Sequence, residues 1–559
     1  MSARTWIAAG ALAALASVPA GAQDIEMTSR VTGRPLPPGY YARVRQDPGF
    51  FELRRGWMHR GQAEGMQSAT FAPGDGPQHV VLPNRGNLRM VVVMAQFSDS
   101  PQPPVGTSVV ADQLFGPNPL GNLTQFYREI SGGQVNLTGT VLPWVRTDIP
   151  RVQAVGTSMG LGDDADMGAY LRDAVAKLDP TTNFAQYDND GPDGIANSGD
   201  DDGYVDVTVF QFGEIAASCG GPGVWPHRSA IRGWTGQAYR TDDLRPNGQP
   251  VLVDDYIIQS AVDCDGQPQN IATIAHETGH AFGLPDFYDA TAGILPQQRR
   301  WVLGCWTLMA AGSWGCGDGS TFGKVTTPTH MGAYEKLSLG WVQRTTSQAG
   351  WRREYLLDPV QTSGRVLQVP LRGNQEYLLL EYRPQTGFDA GLPLGGVLVY
   401  HVQPDLPLRP CATCQRIYRV SLVEADGDGA LIRTADEGGN RGVAGDVFAG
   451  SRTLGPTTTP ALLLNSGARA DVLLEMDMVG GQARIRVSTL PVLDRGVLLQ
   501  PFLATTGTAP SATDGEALDA FGNRNGRYDV GDLAAYVKTR PNALSEFGAA
   551  AAGLMRTEE

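Results

Sequence analysis

Ile271-Ala-Thr-Ile-Ala-His276-Glu277-Thr-Gly-His280-Ala-Phe-Gly283-Leu-Pro-Asp286 decides how the rest of the chain is read. His276 and His280 are four residues apart, so on a helix they share one face, one turn apart. Two imidazoles so placed can both reach one Zn²⁺. Glu277 follows the first of them and points to the side of the metal where a bound water would lie. Zinc lowers the pKa of that water, and the Glu277 carboxylate can take its proton as general base. Gly283, three residues past His280, predicts a left-handed helix end. Pro285 keeps the helix from resuming. Asp286, ten residues after His276, is thereby brought round as the third ligand. The fourth position stays open, which is the pattern of a catalytic rather than a structural zinc site.

Working outward, Cys305-Trp-Thr-Leu-Met309-Ala-Ala-Gly-Ser-Trp314 begins 19 residues beyond Asp286 and places Met309 in a turn 23 residues beyond it. A methionine that floors the imidazoles is the metzincin arrangement. His330 and Tyr334 are the candidates for stabilising the oxyanion. An extended substrate could pair with an edge strand, for which Gln134–Val145 is the candidate.

HETGHAFGLPDFYD, the TLMAAGSW turn and Pro328-Thr-His330-Met-Gly-Ala-Tyr334-Glu-Lys336-Leu-Ser-Leu-Gly340-Trp341-Val resemble the immune inhibitor A family of secreted bacterial zinc metalloproteases. The acidic stretch at Asp188 and the segment 376–402 (EYLLLEYR…GFDAGLPLGGVLVYHV) are similar too, so the likeness is scattered over roughly 85–480. It implies a metzincin-like catalytic domain followed by β-rich material. It also implies zinc ligation by His276, His280 and Asp286, with Glu277 as the base.

Two further segments are rich in oxygen donors. Asp188-Asn-Asp190-Gly-Pro-Asp193 through Asp200-Asp201-Asp202-Gly203-Tyr-Val-Asp206 suits Ca²⁺, which takes six to eight oxygens. Asp188, Asp190, Asp202 and Asp206 are its expected ligands; the stretch Pro192–Asp201 looks inserted relative to a plain DxDGDGxxxD loop. Near the end, Asn523, Asn525, Gly526, Asp529 and Asp532 fall at positions 3, 5, 6, 9 and 12 of a loop that resembles an EF-hand or dockerin calcium loop. Phe521 stands where position 1 should be Asp, so the charge for a cation is low.

Composition bounds the remainder. The chain has 559 residues, 44 basic and 58 acidic, for a net charge of −14. That balance argues against nucleic acid or anionic lipid as a partner. Glycine is abundant, at 70 residues, and suggests many turns and short strands. Arg4 is the only charge before Asp24, the apolar run Trp6–Val18 is too short to span a bilayer, and Ala20-Gly21-Ala22 fits a cleavage site. Residues 1–22 therefore read as a signal peptide, and no later stretch reads as a transmembrane segment. The expected product is secreted and meets extracellular protein or peptide substrates; oligomeric state is not readable. Six cysteines fit that compartment, with neighbour pairing (219–264, 305–316 and 411–414) expected.

The expected fold is α+β: a metzincin-like zinc protease domain over 85–345, then a β-sandwich-type domain over 346–495. Strands are expected at Leu88–Phe97, Gln134–Val145 and Val205–Phe212, and helices at Asn122–Ile130 and Asp164–Leu178. Residues 353–490 show seven short strand patterns. Residues 496–559 read as a linker, the calcium-loop-like motif and a tail. Residues 23–84, Pro- and Arg-rich, read as an N-terminal wrap or a pro-segment that keeps a zymogen closed. The overall expectation is a secreted zinc endopeptidase with structural calcium. The alternative is a non-catalytic, calcium-stabilised surface or adhesion protein, and chelator-sensitive proteolysis separates the two.

Overall fold

The computed structural model describes residues 25, 34–55, 85–118, 121–191, 193–289, 291, 298–317, 327–371, 375–408, 415–503 and 508–539. The expected signal peptide, residues 56–84 and the Cys411–Cys414 pair lie outside them. Among the described residues no helix is long and apolar enough to cross a membrane.

The N-terminal segment opens with α1 (Pro38–Gln46). The next part of the chain is built on β1 (Gly86–Gln96), α2 (Leu123–Ile130), β2 (Val135–Val141), α3 (Met167–Leu178), β3 (Thr208–Phe212), β4 (His227–Ala230), β5 (Asp255–Ser260), α4 (Ala272–Ala281) and α5 (Ala333–Ser338). Its main sheet runs β2-β1-β3-β5-β4. All pairings in it are parallel except β4 against β5, so the edge strand β4 alone runs backwards. The strand expected over Gln134–Val145 is broken in two, β2 and the two-residue strand Val145–Arg146, both of which pair with β1. Pro143 lies between them and has no N–H for the ladder.

β1 shows why this sheet is covered on both faces. Leu88, Met90, Val92 and Met94 point into one core with Phe126 and Tyr127 of α2 and Ile274 of α4. Val91, Val93 and Ala95 alternate into a second core with Tyr170, Leu171 and Val175 of α3. The helix caps are local and readable: Asn122 and Gln125 close a capping box on α2, and Asp166 accepts from Ala169 N at the start of α3.

The later strands are β6 (Gln343–Thr346), β7 (Arg353–Leu357), β8 (Arg365–Pro370), β9 (Tyr377–Arg383), β10 (Gly396–Val402), β11 (Val420–Leu422), β12 (Arg452–Leu454), β13 (Val472–Val479) and β14 (Gln482–Thr489). They form a sheet β11-β10-β9-β8-β6 and a sheet β7-β14-β13-β12. One face of the first sheet shares a core with the second, for example Leu378, Leu380 and Val399 with Leu474 and Ile485. Its other face, through Val366, Leu379, Leu398 and Tyr400, joins the core that holds α4. The buried Arg383 of β9 strengthens that junction: its guanidinium pairs with Asp389 and donates to Trp306 O. The chain ends, as described, in α6 (Ala512–Phe521) and α7 (Val530–Lys538). Cys219–Cys264 and Cys305–Cys316 are disulfides, as neighbour pairing expects.

Candidate metal centre

Helix α4 carries ATIAHETGHA. It begins where Asn270 Oδ1 accepts from Ala272 N (2.9 Å). It stops at Gly283, whose φ of +86° turns the chain back. Phe287 N then donates to Met309 O (2.8 Å), and this bond fixes the residue before it, Asp286, beside the helix.

His276 and His280 are held by their far nitrogens. His276 Nδ1 bonds Leu308 O (2.9 Å) and His280 Nδ1 bonds Leu284 O (2.7 Å). A carbonyl can only accept, so each Nδ1 carries the proton and each Nε2 keeps a lone pair. The two Nε2 atoms stand 3.2 Å apart; Asp286 Oδ1 lies 3.1 Å from that of His276 and 3.6 Å from that of His280. Three ligand atoms on bonds of ~2.0–2.2 Å to one tetrahedral ion would stand about 3.3–3.5 Å apart. The triangle therefore has the dimensions of three corners around such an ion, and its donor set of two imidazoles and a carboxylate suits zinc. All three residues are buried. Burial, with Arg228 nearby, drives the His280 imidazole down to about 3, so it is neutral and ready to ligate. Burial alone would raise Asp286, but the two histidines and Arg228 hold it well below the usual carboxylate range.

Met309 lies against this helix. A Cβ added to Gly279 would overlap Met309 Sδ, so only glycine lets the methionine reach the helix backbone between the ligands. The Trp314 ring packs on His276 at 4.6 Å. Glu277 is buried, and its Oε2 accepts from Arg228 Nη1 (3.1 Å). Arg228 Nη2 is 3.9 Å from Asp286 Oδ2. Sequence reading passed over Arg228: it sits on β4, 49 residues before Glu277, in a stretch with no motif. Its strand is also the sheet edge nearest the triad, whereas β2, the edge favoured from sequence, is at the far end of the sheet.

His330 and Tyr334 are engaged elsewhere. The buried His330 places Nε2 on Glu129 Oε1 (2.8 Å), and its N–H donates to Asp389 Oδ1. Tyr334 is buried with its ring against Phe287.

In the acidic loop, Asp188 and Asp190 do come together, but with Asp201 rather than with Asp202 and Asp206. Both carboxylate oxygens of the buried Asp188 lack a donor. Burial, and then Asp201, Asp190 and Asp202, push it up to about 8. Asp202 instead pairs with Arg55 (2.8 Å), and Asp206 Oδ2 accepts from Asn189 N (2.9 Å). Asp201 sits in the stretch that looked inserted, which is why its position in the chain hid it. In the C-terminal loop, Asn523 and Asn525 both donate to Asp529, and Asp532 accepts from the Asn523 and Asp529 amides. That loop closes on itself through hydrogen bonds.

Residues 111–342 match the family model described as immune inhibitor A peptidase M6, catalytic domain. Pre-pro-metalloprotease PrtV of Vibrio cholerae serotype O1 (strain ATCC 39315 / El Tor Inaba N16961) is 27% identical over 212 residues, 36% of this chain and 22% of that protein. Immune inhibitor A of Bacillus thuringiensis subsp. alesti is 28% identical over 230 residues, 38% of this chain and 31% of that protein. The matched part is thus less than a third of either relative's length. The family likeness seen in the motifs is borne out over residues 111–342, a stretch that contains the helix and turn that build the centre.

The Gly279–Met309 contact yields a direct test. Gly279→Ala forces the methionine aside, at a cost of ~1–3 kcal/mol. The substitution is expected to lower the unfolding midpoint and the metal retained after dialysis. Met309→Ala in the same chain should restore part of the metal. A Gly279→Ala protein with parental midpoint and metal content would show that this contact does not shape the site.

Proposed function

We propose that the chain is a secreted zinc endopeptidase that hydrolyses peptide bonds in extracellular proteins, with Glu277 as general base. The observation that carries this reading is the convergence of His276 Nε2, His280 Nε2 and Asp286 Oδ1, beside a carboxylate that ligates nothing in that triangle. When bound, Zn²⁺ supplies Lewis acidity for the scissile carbonyl and acidifies water in its open position. Arg228 fixes Glu277 through Oε2. Oε1 is then the atom that takes the proton from the attacking water and returns it to the leaving amine. Trp314 and Met309 keep the imidazoles in an apolar surround, which excludes competing solvent from their faces.

Glu277→Gln should keep zinc and lose casein cleavage by several orders of magnitude, since the base is gone and its shape remains. Asp286→Ala should lose the zinc itself. A Glu277→Gln enzyme that still cleaves casein would sink the assignment of the base, and a parent chain without chelator-sensitive casein cleavage would favour the non-catalytic surface protein.

The N-terminal segment supports a zymogen. Phe50 O accepts from Ser229 Oγ (2.6 Å), and Arg54 N and Arg55 N donate to Asp255 Oδ2 (2.7 and 2.6 Å). The segment thus packs against the side chains of Ser229 on β4 and Asp255 on β5, next to the edge where an extended substrate would add as a strand. N-terminal sequencing of the active enzyme should find a start beyond Arg55. An active form that begins at Gln23 would refute the zymogen reading.

Asp188, Asp190 and Asp201 are proposed to hold a structural Ca²⁺, the cation for an all-oxygen donor set. Without it, Asp188 prefers its proton in the folded state, with its pKa raised to about 8. The folded chain then binds more protons than the unfolded one between pH 4 and 8, so stability falls as pH rises. Protein treated with a calcium chelator should therefore lose thermal midpoint across that window, and excess Ca²⁺ should flatten the slope. A slope indifferent to Ca²⁺ would remove the ion from this loop.

A further inference from the structure

Residues 424–446 belong to the β-rich part of the chain and lie on the segment that carries Met309. Val302 N donates to Leu431 O (2.9 Å), Cys305 N to Arg441 O (2.6 Å) and Arg441 N to Gly317 O (2.7 Å). Trp306 Nε1 adds a bond to Asp446 Oδ2 (2.8 Å).

Within this loop, one oxygen each from Glu424, Asp426 and Asp446 lie within 4.8 Å of one another. Asp446 is fully buried. Its Oδ2 accepts from Trp306 and from Val443 N (3.0 Å), while its Oδ1 is enclosed and meets no donor. Asp426 enters from the solvent side, with its Oδ2 pressed against the backbone of Gly445. Glu424 is held in place by Ala430 N (2.8 Å) and Leu431 N (3.2 Å). Arg433, the cation closest in sequence, reaches Asp428 Oδ2 at 3.7 Å.

We infer that Glu424, Asp426 and Asp446 form a second site for a divalent cation of the calcium class, placed between the β-rich loop and the segment 302–317. Three carboxylates and no nitrogen or sulfur donor select a hard ion. The enclosed Oδ1 of Asp446 is an acceptor with no hydrogen to accept, and a cation is what satisfies it. The ion ties Asp446, which holds Trp306, to Glu424 and Asp426. It thereby fastens the loop to the segment that contains the Cys305–Cys316 disulfide and Met309. This site is separate from the histidine centre and from the loop at Asp188, and it does not depend on the peptidase reading.

The test uses the full chain, freed of calcium with a calcium-selective chelator and titrated with Ca²⁺ by calorimetry. Asp426 is exposed, so Asp426→Lys tolerates the change in fold and brings an ammonium to the place of the ion. This variant should bind one Ca²⁺ fewer per chain than the parent, with unchanged zinc content by mass spectrometry. Terbium emission excited through tryptophan should fall as well, because Trp306 touches a ligand. Asp188→Asn, in contrast, should leave that emission in place. Parental Ca²⁺ stoichiometry in Asp426→Lys overturns the site.

Discussion

The Nε2 atoms of His276 and His280 and Oδ1 of Asp286 meet at one point, and the structure is organised around that convergence. Each imidazole of the pair turns its Nδ1 to a backbone carbonyl, Leu308 O for His276 and Leu284 O for His280. The third atom belongs to a buried carboxylate. Such a convergence is unfavourable unless a cation sits within it. The features around it follow. Gly283 turns the chain so that Asp286 can return, the Phe287–Met309 backbone bond stops that return at the right register, and Gly279 lets sulfur replace a side chain between the ligands.

The same centre depends on the sheet edge. Arg228 is buried, and a buried guanidinium is tolerated only with carboxylate partners. Its partners are Glu277 and Asp286, one the proposed base and the other a proposed ligand. Strand β4 therefore does more than close the sheet, because it sets where the Glu277 carboxylate points. It is also the antiparallel strand, and its Ser229 holds Phe50 of the N-terminal segment. Edge geometry and the orientation of Glu277 are thus coupled.

What the sequence revealed and what it hid divide by range. The helix, the turn at Gly283 and the third proposed ligand lie within 16 residues, so spacing alone brings His276, Glu277, His280 and Asp286 together. Met309 is legible as well, because its turn has its own composition. The alternation of β1 and the caps at Asn122 and Asp166 are equally local. Arg228 and the Phe50–Arg55 contacts are not: they join residues 49 to 201 positions apart, and nothing in their neighbourhoods marks them. The contacts of His330 and Tyr334 were hidden for the same reason. Glu129, Asp389 and Phe287 meet them from elsewhere in the fold. In the acidic loop the composition announced a cluster, while the choice of Asp201 over Asp202 depends on Arg55, which lies 147 residues away from Asp202.

The matched family region ends at residue 342, but the physical unit does not. Val366, Leu379, Leu398 and Tyr400 of the next sheet are fully or nearly fully buried in the core that also holds Ile274, Leu308 and Met309. Arg383 donates to Trp306 O, and Asp446 accepts from Trp306 Nε1, so one tryptophan next to the methionine turn is held from two sides by the β-rich part. At ~25 cal/mol per Å², uncovering several such side chains costs more than the few kcal/mol by which an ordinary domain exceeds its unfolded state. The floor of the metal centre is therefore supported by residues that lie beyond the catalytic match. The β-rich part contributes to the stability of the site whatever else it binds.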